Sequence, residues 1–73
     1  ERGMDAIMMA LRTKFGLNIR EWNLKYQNDF KNHYATVLDT YREYFCFEGE
    51  CIYLNDAGLE ILNTILVDFM MIE

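Results

Sequence analysis

The spacing of apolar residues changes twice along this chain, and this change constrains the fold more than any other feature. From residue 4 to residue 45, apolar side chains recur every three or four positions, which predicts amphipathic helices. Two short runs of strand-favouring residues, 45–47 and 51–54, flank Gly49 and predict a small β-hairpin with Gly49 at positive φ in its turn. Helical spacing then returns. We therefore predict an α+β, mainly α, winged-helix-like fold with three helices, a small β-hairpin and a C-terminal helix.

Capping residues set the expected ends of the helices. Gly16 is expected to end the first helix in a left-handed conformation. The apolar face of that helix is expected to carry Met4, Ile7, Met8, Leu11 and Phe15. Asn18 and Glu21 have the spacing of a capping box, which would open a short second helix ending near Tyr26. Later caps are expected at Asn28 or Asp29 and at Asn55 or Asp56. One face of the third helix is predicted to carry Phe30, Tyr34, Val37, Leu38, Tyr41 and Phe45.

The hairpin turn is predicted to consist of Glu48 and Gly49, which determines the register of the two strands. The inward face would then carry Phe45, Phe47, Ile52 and Leu54, and the outward face Cys46, Cys51 and Tyr53. In this register Cys46 and Cys51 lie directly opposite each other. We interpret both as small, half-buried apolar residues; a disulfide, or a zinc site completed by His33, is the alternative.

The composition suits one small domain, residues 1–73, with more apolar material than its core needs. A domain of 73 residues buries only about 60% of the surface of its unfolded chain. Yet 52% of the residues are hydrophobic, which indicates a second buried surface. The net charge of −5 repels nucleic-acid phosphates and anionic lipids. Two cysteines without a signal peptide fit a cytoplasmic location, and a start at Glu1 suggests a piece of a longer protein.

Two short motifs stand at opposite ends of the chain. The first is Asp5-Ala6-Ile7-Met8-Met9-Ala10-Leu11-Arg12 followed by Phe15-Gly16-Leu17, and the second is Tyr53-Leu54-Asn55-Asp56-Ala57-Gly58-Leu59 followed by Asn63. Their order and spacing resemble the C-terminal domain of the oxygen-independent coproporphyrinogen III oxidase-like (radical SAM) family, including its haem chaperone-like relatives. Asn55 stands where the family pattern usually has Thr, and both are good N-caps.

That resemblance implies a function for the parent protein rather than for this chain. Such proteins carry an N-terminal catalytic barrel, and its C-x-x-x-C-x-x-C motif holds a [4Fe–4S] cluster and leaves one iron open for S-adenosylmethionine. With only Cys46 and Cys51, this chain is expected to bind no cofactor or metal and to contain no catalytic residue. Its expected partner is the catalytic barrel of the parent, an oxidoreductase of porphyrin biosynthesis or a haem-handling relative. The resemblance does not separate the two.

The candidate docking residues are Arg12, Ile61, Ile65 and Ile72. One stripe of the last helix suits the domain's own core: Leu59, Leu62, Leu66, Phe69 and Met70. The three isoleucines fall beside that stripe, so we expect this helix, or an aromatic surface next to it, to be partly uncovered. Arg12 is included because the resemblance includes it; a surface ion pair with Asp5, or a solvated arginine, is the alternative. We expect the uncovered face to dock onto the barrel and to permit self-association of the isolated chain.

A winged-helix shape also fits a nucleic-acid or protein-interaction module, which is the alternative function. The third helix would then enter the major groove and the hairpin would be the wing. The positions expected to be exposed on that helix are Lys31, Asn32, Ala35, Thr36, Asp39, Thr40, Arg42 and Glu43. Two bases balanced by two acids, with an acidic hairpin tip, make a poor phosphate-binding surface. We therefore predict that the chain binds neither nucleic acid nor membranes.

Overall fold

The computed structural model describes residues 2–72, and of Arg2 only the backbone. These residues form six helices and a small three-stranded antiparallel sheet. The helices are α1 (Arg2–Ala10), α2 (Ile19–Tyr26), α3 (Phe30–His33), α4 (Ala35–Thr40), α5 (Asp56–Glu60) and α6 (Leu62–Met70), and the strands are β1 (Leu17–Asn18), β2 (Phe45–Glu48) and β3 (Cys51–Leu54). The predicted α+β, mainly α class is confirmed.

The sheet has the order β1-β3-β2, so β3 lies in the middle and β2 at an edge. Glu48 pairs with Cys51, which makes Gly49 and Glu50 the two-residue turn. Gly49 has the predicted positive φ, 61°, whereas Glu50 does not, which is the φ pattern of a type II′ turn. The predicted turn at Glu48–Gly49 was wrong because a type II′ turn takes glycine at its first central position, not its second.

The two faces of the hairpin nevertheless carry the residues expected of them. Moving the turn by one residue changes the pairing partners by two positions, which preserves the alternation of side chains. The buried members of the inward face are Phe45, Ile52 and Leu54. Phe47, close to the turn, is 53% exposed. Cys46 pairs with Tyr53 instead of Cys51, so the expectation that the two cysteines lie directly opposite was wrong.

The first helix is shorter than predicted. It ends at Ala10, whose carbonyl accepts a hydrogen bond of 2.9 Å from the Thr13 hydroxyl, and the Gly16 amide in turn donates to that hydroxyl at 3.2 Å. A side chain that bonds nearby backbone groups in this way competes with a further helical turn. Phe15 is therefore 86% exposed instead of lying on the core face. The chain then enters β1, a strand that the sequence analysis missed, which pairs with β3.

Two helices that were predicted as continuous are each split at one residue. Tyr34 separates α3 from α4 with φ −107° and ψ 24°, and Ile61 separates α5 from α6 with φ −112° and ψ 26°. Both conformations lie close to the sparsely allowed bridge region beside the helical one. The apolar face of the third helix persists across the first break, since Phe30, Tyr34 and Val37 are all buried.

The predicted N-caps are confirmed. The side-chain oxygens of Asn18, Asp29 and Asn55 accept hydrogen bonds from amides three residues later, at 2.9, 3.4 and 2.8 Å. Each bond satisfies one of the backbone donors that the start of a helix leaves without a partner. α2 ends at Tyr26, as predicted, with Gln27 following in a left-handed conformation at φ 51°.

The core is formed by the sheet and the helices together. Phe69 of α6 packs against three aromatic rings, with centroid distances of 5.0 to 6.1 Å. The largest fully buried side chains are Ile7, Leu11, Phe30, Ile52, Ile65 and Phe69. The expectation that Ile65 would be partly uncovered was wrong, because α6 packs against α1 and α4 and so buries a wider arc than one neighbouring element would.

Candidate interdomain docking surface

An open groove of about 450 Å³ lies beside the C-terminal end of α6. Its apolar residues without aromatic rings are Met4, Met8, Met70 and Ile72. Its aromatic residues include Trp22, Tyr26 and Tyr34. Its polar residues are Asp5, Asn28 and His33. We refer to this surface as the methionine groove. It brings α1, α2 and α3 together with the end of α6, which lies far from them in the sequence.

The aromatic side of the methionine groove is held in place by packing and by a buried hydrogen bond. Trp22 Nε1 donates to the Gly3 carbonyl at 3.0 Å, which joins α2 to α1. The Trp22 ring centroid lies 5.4 Å from that of Tyr26 and 6.1 Å from that of Tyr34, in the tilted and edge-to-face arrangements that aromatic pairs favour. This side of the groove is therefore preformed.

The methionine side of the groove is more accessible. Met70 is 51% exposed, its neighbour Met71 is 74% exposed, and Met8 and Ile72 are half-buried. Methionine side chains are unbranched and polarisable, so they adjust to the shape of a partner. Large apolar side chains that remain exposed around a concave surface commonly mark a protein contact. The methionine groove is therefore a candidate docking surface of the chain.

Of the four docking residues expected from the sequence, only Ile72 lines the groove. Ile61 is half-buried at the junction of α5 and α6, and Arg12 is exposed in the turn that follows α1. Ile65 lies in the core and contributes no exposed surface. Because α1 ends at Ala10, Arg12 does not share a helix face with Asp5.

The sequence pattern did not indicate the part that three methionines play in this surface. Met4 and Met8 were assigned to the core face of the first helix, and Met70 to the core stripe of the last. Their spacing does suit one face of a helix. Only the packing of α1 beside α6 shows that the three side chains border one groove.

A hydrogen bond fastens α6 to the residue that follows α4. The Tyr41 hydroxyl donates to Asp68 Oδ2. This bond, together with burial and the negative charge of the carboxylate, raises the pKa of Tyr41 above its usual value of 10.0. The neutral phenol is therefore the form of Tyr41 that holds α6 in place.

We expect the stability that Tyr41 contributes to be lost at alkaline pH. The unfolded chain releases the Tyr41 proton near pH 10.0, while the folded chain retains it until the raised pKa is reached. The free energy of unfolding therefore falls as pH rises from 10 through the folded-state pKa. Urea denaturation of the wild type and of Tyr41→Phe between pH 7 and about pH 11 measures the difference. A difference between the two chains that stays constant over this range would contradict the role of the bond.

The described residues do not fit an iron–sulfur cluster. Cys46 and Cys51 are free thiols, half-buried on the outward face of the hairpin, and a cluster of the expected kind needs three cysteine ligands. Among residues 2–72, no group of three or more His, Cys, Asp or Glu side chains is placed to hold a metal ion.

The Cys46 sulfur, followed by burial and the Glu48 carboxylate, raises the pKa of Tyr53 above 10.0. Tyr53 is therefore neutral at physiological pH.

The surface that a DNA-binding winged helix would use has balanced charges. All eight positions expected to be exposed on the third helix are exposed. Arg42 forms an ion pair with Asp39 at 3.1 Å, and the Lys31 ammonium lies 5.1 Å from the centre of the Phe47 ring. Two bases, Lys31 and Arg42, are matched on this surface by two acids, Asp39 and Glu43, which leaves little net attraction for a phosphate backbone.

The comparison with protein families found one match. Residues 1–61 match the HemN C-terminal domain. The chain belongs to this family. The comparisons with curated proteins and with solved structures found no match. The resemblance to the C-terminal domain of this family, which the two sequence motifs predicted, is therefore confirmed.

In this HemN C-terminal domain, the second motif has a structural role. Asn55 accepts a hydrogen bond from the Gly58 amide at 2.8 Å and donates one to the Glu43 carbonyl at 2.9 Å, which ties the start of α5 to the segment before β2. Gly58 is buried, and a Cβ at this position would lie 3.0 Å from Leu54 Cδ2. The glycine thus lets α5 approach the hairpin closely. Asn63, the last residue of the motif, is exposed.

The family match ends at the break between α5 and α6, yet α6 is an integral part of this HemN C-terminal domain. α6 contributes three buried side chains to the core: Ile65, Leu66 and Phe69.

α1 and α6 each contain nine residues. In the described part of the chain, no helix combines the length and the apolar character needed to cross a bilayer.

Proposed function

We propose that this chain is the non-catalytic C-terminal domain of an oxygen-independent coproporphyrinogen III oxidase-like radical SAM protein. In this proposal the parent works in the cytoplasm, in porphyrin biosynthesis or haem handling, and its barrel carries the [4Fe–4S] cluster and S-adenosylmethionine. The match of residues 1–61 to the HemN C-terminal domain is the observation that carries the proposal. The two thiols of this chain support the assignment of the cofactors to the barrel, since they are too few to hold the cluster.

The methionine groove is the surface that we assign to the catalytic barrel. The chain exposes Met70 and Met71 beside a concave aromatic surface, and contact with the barrel would remove them from water. Transfer of apolar surface from water stabilises an interface by about 25 cal/mol for each Å² buried. Docking of the groove would thus add burial that a small domain lacks on its own.

The position of the groove favours the barrel over an unrelated partner. Met4 lies in the first helix of the chain and borders the groove. A domain joined to the N-terminal side of α1 is therefore tethered next to this surface. Tethering raises the effective concentration of such a domain to about the millimolar range, so a modest apolar contact is sufficient for docking.

The proposal is tested by separating the two domains and measuring their association. The catalytic domain of the parent is mixed with the wild-type chain and with Met70→Glu, and affinity is measured by titration calorimetry. We expect the substitution to weaken binding about tenfold or more, equivalent to about 1.4 kcal/mol, because it places a carboxylate in an apolar contact.

Phe47→Glu is the matched control for this experiment. Phe47 is 53% exposed, close to the 51% of Met70, and both substitutions add one negative charge. Phe47 lies outside the methionine groove, so this variant should bind as the wild type does. Equal weakening by both variants would place the contact elsewhere, and absence of binding by the wild type would refute docking.

A further inference from the structure

Among the described residues, no strand pairs with the outer edge of strand β2. β2 is the last strand of the order β1-β3-β2, so only its other edge is paired, with β3. Glu48 and Cys51 flank a two-residue turn and form a hydrogen-bonded pair, so alternate residues of β2 point their peptide groups towards β3. The peptide groups of Phe45 and Phe47 therefore point away from β3.

The opposite side of the hairpin supports this alternation. The Glu50 carbonyl, on the β3 side of the turn, points towards β1 and accepts a hydrogen bond of 2.8 Å from the Ile19 amide. The peptide groups of Glu50 and Ile52 thus point towards β1, whereas those of Cys51 and Tyr53 point towards β2. No hydrogen bond found within residues 2–72 engages the backbone of Phe45 or Phe47 on the outer side of β2. These two residues offer two donors and two acceptors to a further strand.

We propose that two copies of this chain pair along their β2 edges as antiparallel strands and form one continuous six-stranded sheet. A two-fold axis midway between the two Cys46 residues places Phe45 of each copy opposite Phe47 of the other. All outward peptide groups are then bonded, with four hydrogen bonds between the copies. This pairing needs two copies of the chain and no catalytic domain.

The geometry of the edge selects this register. A shift of the register by one residue would place the free peptide groups of one copy opposite peptide groups of the other copy that already bond β3. The hydrogen bonds between the copies could then not form. A shift by two residues leaves only one of the two free residues in each copy facing its counterpart. In the selected register, Glu48 lies opposite Tyr44 of the second copy, so no two carboxylates are directly opposed.

The side chains of β2 also suit a second copy. Phe47 is 53% exposed on the inward face, and pairing brings it beside Phe45 of the second copy. Aromatic pairs across antiparallel strands each contribute roughly 0.2 to 1 kcal/mol, and the symmetric pairing forms two of them. An exposed aromatic residue on an open edge strand is the arrangement that favours strand pairing between chains.

The two cysteines distinguish this pairing from random contact. Both are free and half-buried, but Cys46 lies on the edge strand and Cys51 in the middle of the sheet. In the proposed dimer, Cys46 faces its counterpart in a non-hydrogen-bonded pair, where Cα atoms lie about 4.5 Å apart, within the range of disulfides. Within one chain the two cysteines are diagonal neighbours, whose Cα atoms lie about 7–8 Å apart in such sheets, beyond that range.

Oxidative cross-linking of the purified chain tests the proposal. Oxidised glutathione takes two electrons from two thiolates of separate chains, which yields one intermolecular disulfide and, after protonation, two molecules of glutathione. We expect the wild type and Cys51→Ser to form a covalent dimer and Cys46→Ser to form none. Loss of the dimer in Cys51→Ser, or its persistence in Cys46→Ser, would overturn the proposal.

A variant of the edge itself separates strand pairing from simple thiol reactivity. Phe47→Lys keeps both cysteines, removes both aromatic pairs and places a charge on the edge. We expect it to lower the yield of covalent dimer about tenfold at the same protein concentration. Circular dichroism is used to check that the variant is folded. An unchanged yield in the folded variant would show that Cys46 reacts without strand pairing and would refute the dimer.

Discussion

Gly16→Ala should destabilise the chain by about 3 kcal/mol or more and lower its melting temperature by roughly 15 °C. Gly16 has a φ of 72°, which side-chain-bearing residues adopt only at a cost. A Cβ at this position would lie 2.0 Å from the Ile52 carbonyl oxygen and 2.7 Å from Tyr53 Cβ. Because these atoms belong to the middle strand of the sheet, they cannot move aside without breaking its pairing.

Gly49→Ala is the matched control for this prediction. Gly49 has a similar φ of 61°, but a Cβ there would meet no atom within 4 Å. Its substitution therefore carries only the conformational cost, about 1 kcal/mol. Urea denaturation of the three chains measures both values. Equal losses in the two variants would show that close contact with β3 contributes nothing at Gly16.

The sequence predicted the conformation of Gly16 but not its place in the fold. It correctly indicated a left-handed conformation for this residue but wrongly placed it at the end of the first helix. It did not indicate that the helix ends earlier, at Ala10, because the repeat of apolar residues continues to Phe15. The hydroxyl of Thr13 was the available signal, since threonine bonds nearby backbone groups and competes with helix propagation.

Phe69→Ala is expected to destabilise the chain by about 4 kcal/mol. The Phe69 side chain is fully buried, and its ring centroid lies 6.0 Å from that of Phe30 and 5.0 Å from that of Tyr34. Truncation to alanine removes these contacts and leaves a cavity. A chain of 73 residues has a total stability of roughly 4–11 kcal/mol, so this loss amounts to at least about a third of the total.

Phe15→Ala provides the comparison for Phe69→Ala. Phe15 is 86% exposed, so the same substitution should change the free energy of unfolding by less than about 0.5 kcal/mol. Thermal and urea denaturation of both variants measure the contrast. A small loss at Phe69 would mean that α6, which lies beyond the family match, is not part of the cooperative core.

Local patterns predicted much of this fold because local chemistry determines those features. The caps at Asn18 and Asn55 depend on a side chain and an amide three residues away, both visible in the sequence. The face of each hairpin residue depends only on alternation, so it was correct although the turn was misplaced. β1 was missed because two residues are too few to show a period; its pairing with β3 is a tertiary feature.

The docking surface was harder to predict because it depends on how the helices pack. The spacing around Ile65 defined the width of the apolar arc but not which part of it the other helices cover. α6 packs against α1 and α4 with Ile65 fully buried, whereas Met70 at the end of α6 is 51% exposed. The excess of apolar residues correctly indicated that some surface remains uncovered. Its location required the relative positions of α1, α2 and α6.

Docking of the methionine groove is tested most directly by NMR of the methionine methyl groups. The chain has five methionines, and ¹³C-methyl labelling gives each a separate signal. Met4, Met8 and Met70 line the groove, whereas Met9 is 70% exposed on another part of α1 and serves as the internal control. On titration with the catalytic domain of the parent, we predict that the three groove signals shift or broaden and that the Met9 signal does not. A shift of Met9 with unchanged groove signals, or no change in any methyl group, would contradict docking through this surface.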